Sequence, residues 1–498
     1  MKHYTLLEQE LEQIFQINNV INILYWDIAV NIPHGSIDSR TSEIALLSSI
    51  AHSRLQSKKL AELIESVSEN VNTLDVWQLA NLRETKRRIT ESTCIDDDLW
   101  KMYVTASAKC ELIWRDARKN NDYLSLKPYL QTVLDCVQKM AKSKAHALNC
   151  SVYDALLDTY DPERTLDEVK VVFNNLKKTI PELIGQIVEK QSKENVLPIT
   201  NSISEAQQKL IAKRLMEIMG FNLTKGRLDE STHPFCRGTP DDVRLTNRYN
   251  EHNFISGIMG IMGIMHETGH GLYEQGLPSK YKNQPVGKAK GMAVHESQSL
   301  FMEMQVGRSG EFCQYLSKLL KDEFGFKGLE YSAENLYKLM TRVKLGFIRV
   351  EADEVTYPMH VIVRFELERL LISGDLSLND LPHYWNNKMQ EYLGITPQND
   401  KDGCLQDIHW PMGSFGYFPS YTNGAIIASM VIKKAQEVNH NIKKEITRGE
   451  FNGVNQFLDN NIRSYGSLKN TSELIKDATG EDRIQSEIFL KYLQQKYL

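Results

Sequence analysis

Apolar residues recur at helical spacing along nearly the whole chain, and this limits the possible fold more than any other feature. Between residues 6 and 23, Leu7, Leu11, Ile14, Phe15, Ile17 and Ile21 trace one stripe. Intervals of three and four residues stack side chains on one face of a helix. Similar stripes predict helices over 41–63, 73–90, 97–119, 126–148, 165–193 and 204–219. Strand signals are confined to 231–246, where Pro234, Gly238 and Pro240 point to a short hairpin. The expected fold class is therefore all-α, with at most a small β-hairpin element. No Gly/Ser/Pro-rich linker, low-complexity tract or fixed-period repeat divides the chain. Residues 1–498 read as one domain, in two lobes with a cleft between them.

Composition narrows the class of function. The chain is 41% hydrophobic and 25% charged, with a net charge of −5 and with Lys and Arg interleaved among Asp and Glu. That balance argues against nucleic acid or an anionic membrane as partner. The longest apolar run, 254–265, is too short to span a bilayer. The start, MKHYTLLEQELEQ, lacks the pattern of a secretory signal. Seven cysteines form no CxxC pair and read as reduced thiols of a cytoplasmic protein, so thiolate ligation of a metal is not expected.

Inside this helical background lies His266-Glu267-Thr268-Gly269-His270. Histidines four apart on a helix reach one ion from the same face, and a glutamate one residue round lies beside that ion. Glu267 then stands where a base for a metal-activated water belongs. The polar-poor run Phe254 to Met265 is expected to continue this helix. Its Gly257, Gly260 and Gly263 each cost about 1 kcal/mol relative to Ala, tolerable where a neighbouring backbone packs close.

A second expected helix, GMAVHESQSLFMEM, begins at Gly291 and offers Glu296 as the third ligand. Two imidazoles and a carboxylate leave one position open, as catalytic sites require. His295 is the rival ligand but points about 100° away, and Glu274 shares the motif helix. A divalent ion, zinc or alternatively cobalt, suits this donor set. An oxyanion donor opposite the ion is sought in the late segment containing His409, Tyr417 and Tyr421.

These motifs resemble the carboxypeptidase Taq family of metallocarboxypeptidases. Beyond HETGH and HESQS (295–299), the similarity includes YWD (25–27), YDALLDTYDPERT (153–165), HPF (233–235) and DVRLT (242–246). It continues through IRVEAD (348–353), GCLQDIHW (403–410) and FGYFPSYT (415–422). The resemblance implies an all-helical, two-lobed fold with a deep central cleft, shared with neurolysin-like and angiotensin-converting peptidases, and usually a homodimer. It implies removal of single residues from peptides with a free C terminus. On that basis Arg349 is expected to pair the terminal carboxylate, a task suited to a planar guanidinium. His409 is expected to donate to substrate, Tyr421 to hold the oxyanion with Tyr417 as alternative, and Asp353 to orient a ligand imidazole. Arg244 and Asp242 are expected in the cleft wall, and His233 in a structural role. Two other readings stay open: an oligoendopeptidase on the same scaffold, and a catalytically silent helical interaction protein. The segments YWDIAVNIPHGS and SYTNG depart from the family's usual pattern, which bears on substrate preference and dimer detail.

Overall fold

The computed structural model describes residues 2–250, 254 and 258–498. Twenty α-helices occupy most of them. The N-terminal group comprises α1 (Lys2–Val30), α2 (Ile37–Leu55), α3 (Lys58–Ser68) and α4 (Val76–Thr93). Next come α5 (Asp97–Asn120), α6 (Tyr123–Leu148), α7 (Val152–Tyr160), α8 (Leu166–Ser192) and α9 (Glu205–Ile218). Three short strands, β1 (Gly226–Glu230), β2 (Cys236–Thr239) and β3 (Asp242–Asn247), precede α10 (Gly263–Gly276) and α11 (Gly291–Leu300). The remainder runs through α12 (Gly310–Phe324), α13 (Ala333–Met340), α14 (Tyr357–Ser373), α15 (Leu381–Leu393) and α16 (Pro419–Val438). It ends with α17 (Ile442–Thr447), α18 (Asn452–Asn461), α19 (Thr471–Thr479) and α20 (Ser486–Tyr497). Among the described residues no helix is long and apolar enough to cross a membrane.

Local chemistry sets several boundaries that periodicity alone misplaces. The stripe over 41–63 is two helices, because the chain breaks at Gln56 and the Ser57 hydroxyl caps α3 at the Leu60 amide. The expected start at Thr73 moves to Val76, where Asp75 and Gln78 form a reciprocal capping box. The same device, Thr165 with Glu168, starts α8. The expected hairpin is the β2–β3 half of a three-stranded sheet, with β1 added parallel to β3, Gly226 opposite Val243. The apolar run before the HETGH motif does not make one straight helix. A π-helical turn at Ile258–Met262 bends at Gly260 (φ −91°, ψ −109°) before α10 begins, and the Ile261 amide bonds the Phe254 carbonyl. Gly257 lies outside the described residues.

The motif helix α10 sits near the centre of the main core, packed on β3, α9 and α11, while α16 covers the far side of α11. The first four helices build a smaller core of their own around Tyr4, Leu7, Leu11, Ile14, Leu60 and Leu82. Gly269, inside the motif, marks where α10 and α11 meet: a Cβ there would lie 2.4 Å from the Gln298 carbonyl. That closeness brings His266 and His270 of α10 and Glu296 of α11 to one point.

Candidate metal centre

His266 and His270 project from α10 toward Glu296 on α11, and one ligand atom from each lies within 4.8 Å of the others. The Glu296 Oε2 is 3.3 Å from Nε2 of His270 and 3.8 Å from Nε2 of His266. Both imidazoles are held from behind. Nδ1 of His266 donates to Glu303 at 2.9 Å, and Arg308 donates to the other oxygen of Glu303 at 2.6 Å. Nδ1 of His270 is 2.7 Å from Nδ1 of His295, whose Nε2 donates to Glu274 at 2.9 Å. With Nδ1 occupied on each ring, Nε2 is left as the electron-pair donor facing Glu296. On the other side of Glu296, α16 approaches so closely that a Cβ at Gly424 would sit 2.9 Å from its Cβ and Cγ.

The electrostatics call for a cation. Glu267, Glu296 and Glu303 are all buried around two imidazoles. Burial opposes a proton on His266, but Glu296, Glu303 and Glu267 together outweigh it and raise its pKa to about 10. His270 goes the other way, to about 4, because burial dominates despite its bond to Glu296. Glu267 is lifted to about 7, chiefly by burial, and its Oε2 has no hydrogen-bond partner. A buried carboxylate oxygen left unpartnered beside three converging donors fits a divalent ion and its water.

A second cluster stands beside this trio. Tyr421 and Tyr417, at the start of α16 and just before it, lie with ring centroids 5.1 Å apart. The negative charge of Glu296 is felt by both, and by Tyr357. The Tyr421 hydroxyl is 3.0 Å from Nε2 of His409, which burial, with Arg349 adding, lowers to about 3 and keeps neutral. Burial lifts Tyr421 to about 12, so it stays a hydroxyl donor. Arg349 is buried under this cluster, 4.9 Å from the Tyr421 ring. Its Nε and Nη2 donate to Asp407 at 3.0 and 2.8 Å, and Nη1 donates to the Tyr357 hydroxyl at 3.2 Å. Asp407 also accepts from Arg364 at 2.6 Å.

Some expected placements change. Asp353 does not orient an imidazole: it accepts from the amides of Lys344, Val355 and Thr356 and from the Thr356 hydroxyl, closing its own loop. Glu303 does that work for His266. His295 is not beside the ion position but behind His270, backed by Glu274. Arg244 is not brought to the trio. It lies on the β3 face opposite Leu245, paired with Asp242 and stacked 4.5 Å from the Trp26 ring of α1, while Leu245 faces α10 at Gly271. Glu303 was within reach of the sequence, since it follows Glu296 by seven residues, two turns along the same face. Asp407 and Tyr357 carried no comparable signal.

The sequence matches the carboxypeptidase Taq (M32) metallopeptidase family over residues 6–497. The chain belongs to that family. This metallocarboxypeptidase is 33% identical to carboxypeptidase 1 of Bacillus subtilis over 98% of its length and 96% of the relative's. It is 34% identical to thermostable carboxypeptidase 1 of Thermus thermophilus, covering 95% and 94% of the two chains. Among solved structures, the metallocarboxypeptidase resembles Trypanosoma cruzi metallocarboxypeptidase 1 with a TM-score of 0.96 at 34% identity, over 100% of this chain and 99% of that one. The Pyrococcus furiosus carboxypeptidase gives 0.95 at 29%, again over 100% and 99%. The expected all-α class and carboxypeptidase activity are thus established.

Proposed function

We propose that this metallocarboxypeptidase releases single amino acids from the free C termini of peptides, with His266, His270 and Glu296 holding one zinc ion per subunit. Cobalt suits the same donors. The observation that carries the reading is the unpartnered, buried Oε2 of Glu267 beside the three converging ligand atoms. When bound, the ion supplies Lewis-acid activation of water and substrate carbonyl. Glu267 accepts the proton of the attacking water and delivers it to the departing amine. The Tyr421 hydroxyl, steadied by neutral His409, donates to the developing oxyanion, and Tyr417 is its neighbour and substitute.

Arg349 is assigned to the substrate carboxylate. Asp407 occupies Nε and Nη2, so the carboxylate engages Nη1 in place of Tyr357, and the freed Tyr357 hydroxyl serves the substrate as well. His409 contributes a further donor to the peptide. Arg244, on the face of β3 opposite Leu245 and stacked on Trp26, is assigned to the outer substrate wall. A cytoplasmic location accords with seven unpaired cysteines, and the family resemblance supports a homodimer.

The decisive experiment compares a peptide with its C-terminal amide. The free acid is expected to be cleaved at least about a hundredfold faster, a margin that Arg349→Ala removes. Equal rates on acid and amide would overturn the exopeptidase assignment in favour of internal cleavage.

A further inference from the structure

The π-helical turn Phe301–Gly307 draws one of its backbone acceptors away from the helical ladder. The Arg308 amide bonds the Glu303 carbonyl at 3.0 Å, and the Ser309 amide bonds the Val306 carbonyl at 2.9 Å. These amides stand four and five residues beyond Met304, where a helix would find partners for its carbonyl. The Met304 carbonyl accepts instead from a side chain of α20, the Lys496 ammonium, at 3.0 Å. Met304 directly follows Glu303, the carboxylate that accepts from Nδ1 of His266 at 2.9 Å.

That ammonium is fully committed. Besides the Met304 carbonyl, Lys496 donates to Glu354 and to the Tyr492 hydroxyl, each at 2.7 Å. Three N–H groups thus meet three acceptors. The Tyr492 hydroxyl gives its own proton to Glu354, and the Tyr497 hydroxyl donates to Glu354 at 2.8 Å. Glu354 is wholly buried, and the Lys496 side chain is 9% exposed. Burial works against the lysine charge, and Glu354 offsets it. A buried ammonium persists only where it is paired and hydrogen-bonded, so its place is narrowly set. Glu303 is therefore fixed twice, by Arg308 at its carboxylate and by Lys496 through the adjoining carbonyl.

We infer that Lys496 is a positioning residue for the metal centre: by holding the Met304 carbonyl it sets the π-helical turn so that Glu303 meets Nδ1 of His266. This rests on the reading of His266 as a ligand. Lys496 touches neither substrate nor ion and acts through Met304 and Glu303. Without its ammonium, the nearest partner for the Met304 carbonyl is the Arg308 amide. Regular α-helical pairing of those two groups would take that amide from Glu303 and rotate the Glu303 side chain away from His266.

The test is zinc affinity, read by competition with a chelator. Lys496→Met keeps much of the side chain's length and removes its three donors. It leaves Glu354 buried and uncompensated, so Lys496→Met/Glu354→Gln is measured beside it to secure folded protein. Leu490→Ala, at a buried apolar position of the same helix, loosens α20 without removing the ammonium. Zinc Kd is expected to rise about 10- to 100-fold in both Lys496 variants and to stay within about twofold of wild type in Leu490→Ala. With cobalt in place of zinc, the visible absorption bands should shift in the same two proteins only. An unchanged Kd or unchanged bands in both Lys496 variants, or an equal loss in Leu490→Ala, would overturn the inference. Wild-type protein that takes up no zinc overturns the metal assignment itself, and the inference with it.

Discussion

Nδ1 of His295 stands 2.7 Å from Nδ1 of His270, so one imidazole of the proposed metal site is held by a second imidazole rather than directly by a carboxylate. Glu274 completes the chain behind it. His295→Phe keeps the bulk and removes the acceptor. Its ion affinity, read by competition with a chelator, is expected to fall 10- to 100-fold, in the range typical for groups behind a ligand.

Glu267→Gln separates binding from turnover. The three ligand atoms come from other residues, so metal content should remain near one ion per subunit. The lost base should lower kcat by about 10²- to 10⁴-fold. Elemental analysis and kinetics on the same preparation check both halves, and retained turnover would remove Glu267 from the role of base.

Metal loading should release a proton. Without an ion, Glu296, Glu303 and Glu267 overcome the effect of burial and hold His266 protonated up to a pKa of about 10. Its Nε2 can donate to an ion only after losing that proton, whereas His270, at about 4, is already neutral. Affinity should therefore weaken by about tenfold for each unit the pH falls below 10, and level off above it. Titration calorimetry in buffers of different ionisation enthalpy counts the proton.

Gly424→Ala tests the packing of α16 against the ligand helix. A methyl group there meets the Glu296 Cβ and Cγ at 2.9 Å. The expected cost is about 1–3 kcal/mol of stability, together with weaker metal binding because Glu296 is displaced. Thermal melts with and without ion distinguish the two effects.

Glu368 on α14 is wholly buried and anchors the segment that carries the second cluster. It accepts from the Tyr153 hydroxyl, from Trp410 Nε1 at 3.1 Å and from the Gly416 amide at 3.0 Å, next to His409 and Tyr417 respectively. Burial, opposed by these three bonds, lifts its pKa to about 7. A carboxyl raised in the folded state favours folding most below its ordinary value of 4.5, and this contribution is lost as pH rises toward 7. Glu368→Gln should flatten the stability profile across that window in denaturant titrations.

Much of this was readable in the residues, and what was not has identifiable causes. The HETGH spacing placed two imidazoles on one helical face, and HESQS supplied a carboxylate on the next helix, because helix geometry turns sequence intervals directly into directions. Helix ends were less legible, since Ser57 and Asp75 act through capping bonds that hydrophobic stripes do not register. The bend at Gly260 escaped for a similar reason, as a glycine spacing does not say which backbone lies alongside. Least visible were Asp407 beneath Arg349 and Glu368 beneath Trp410. Each joins segments more than forty residues apart, and only the tertiary fold brings them together.

The helix that carries Glu296 runs on without a break into the π-helical turn Phe301–Gly307, which carries Glu303. One proposed ligand, Glu296, and the group that orients another, His266, are thus mounted on one rod. Sliding or tilting that rod would displace Glu296 and the hydrogen-bond partner of His266 together, so the two are coupled through one element. The branch through His295 and Glu274 is mounted apart from that rod and steadies His270 alone.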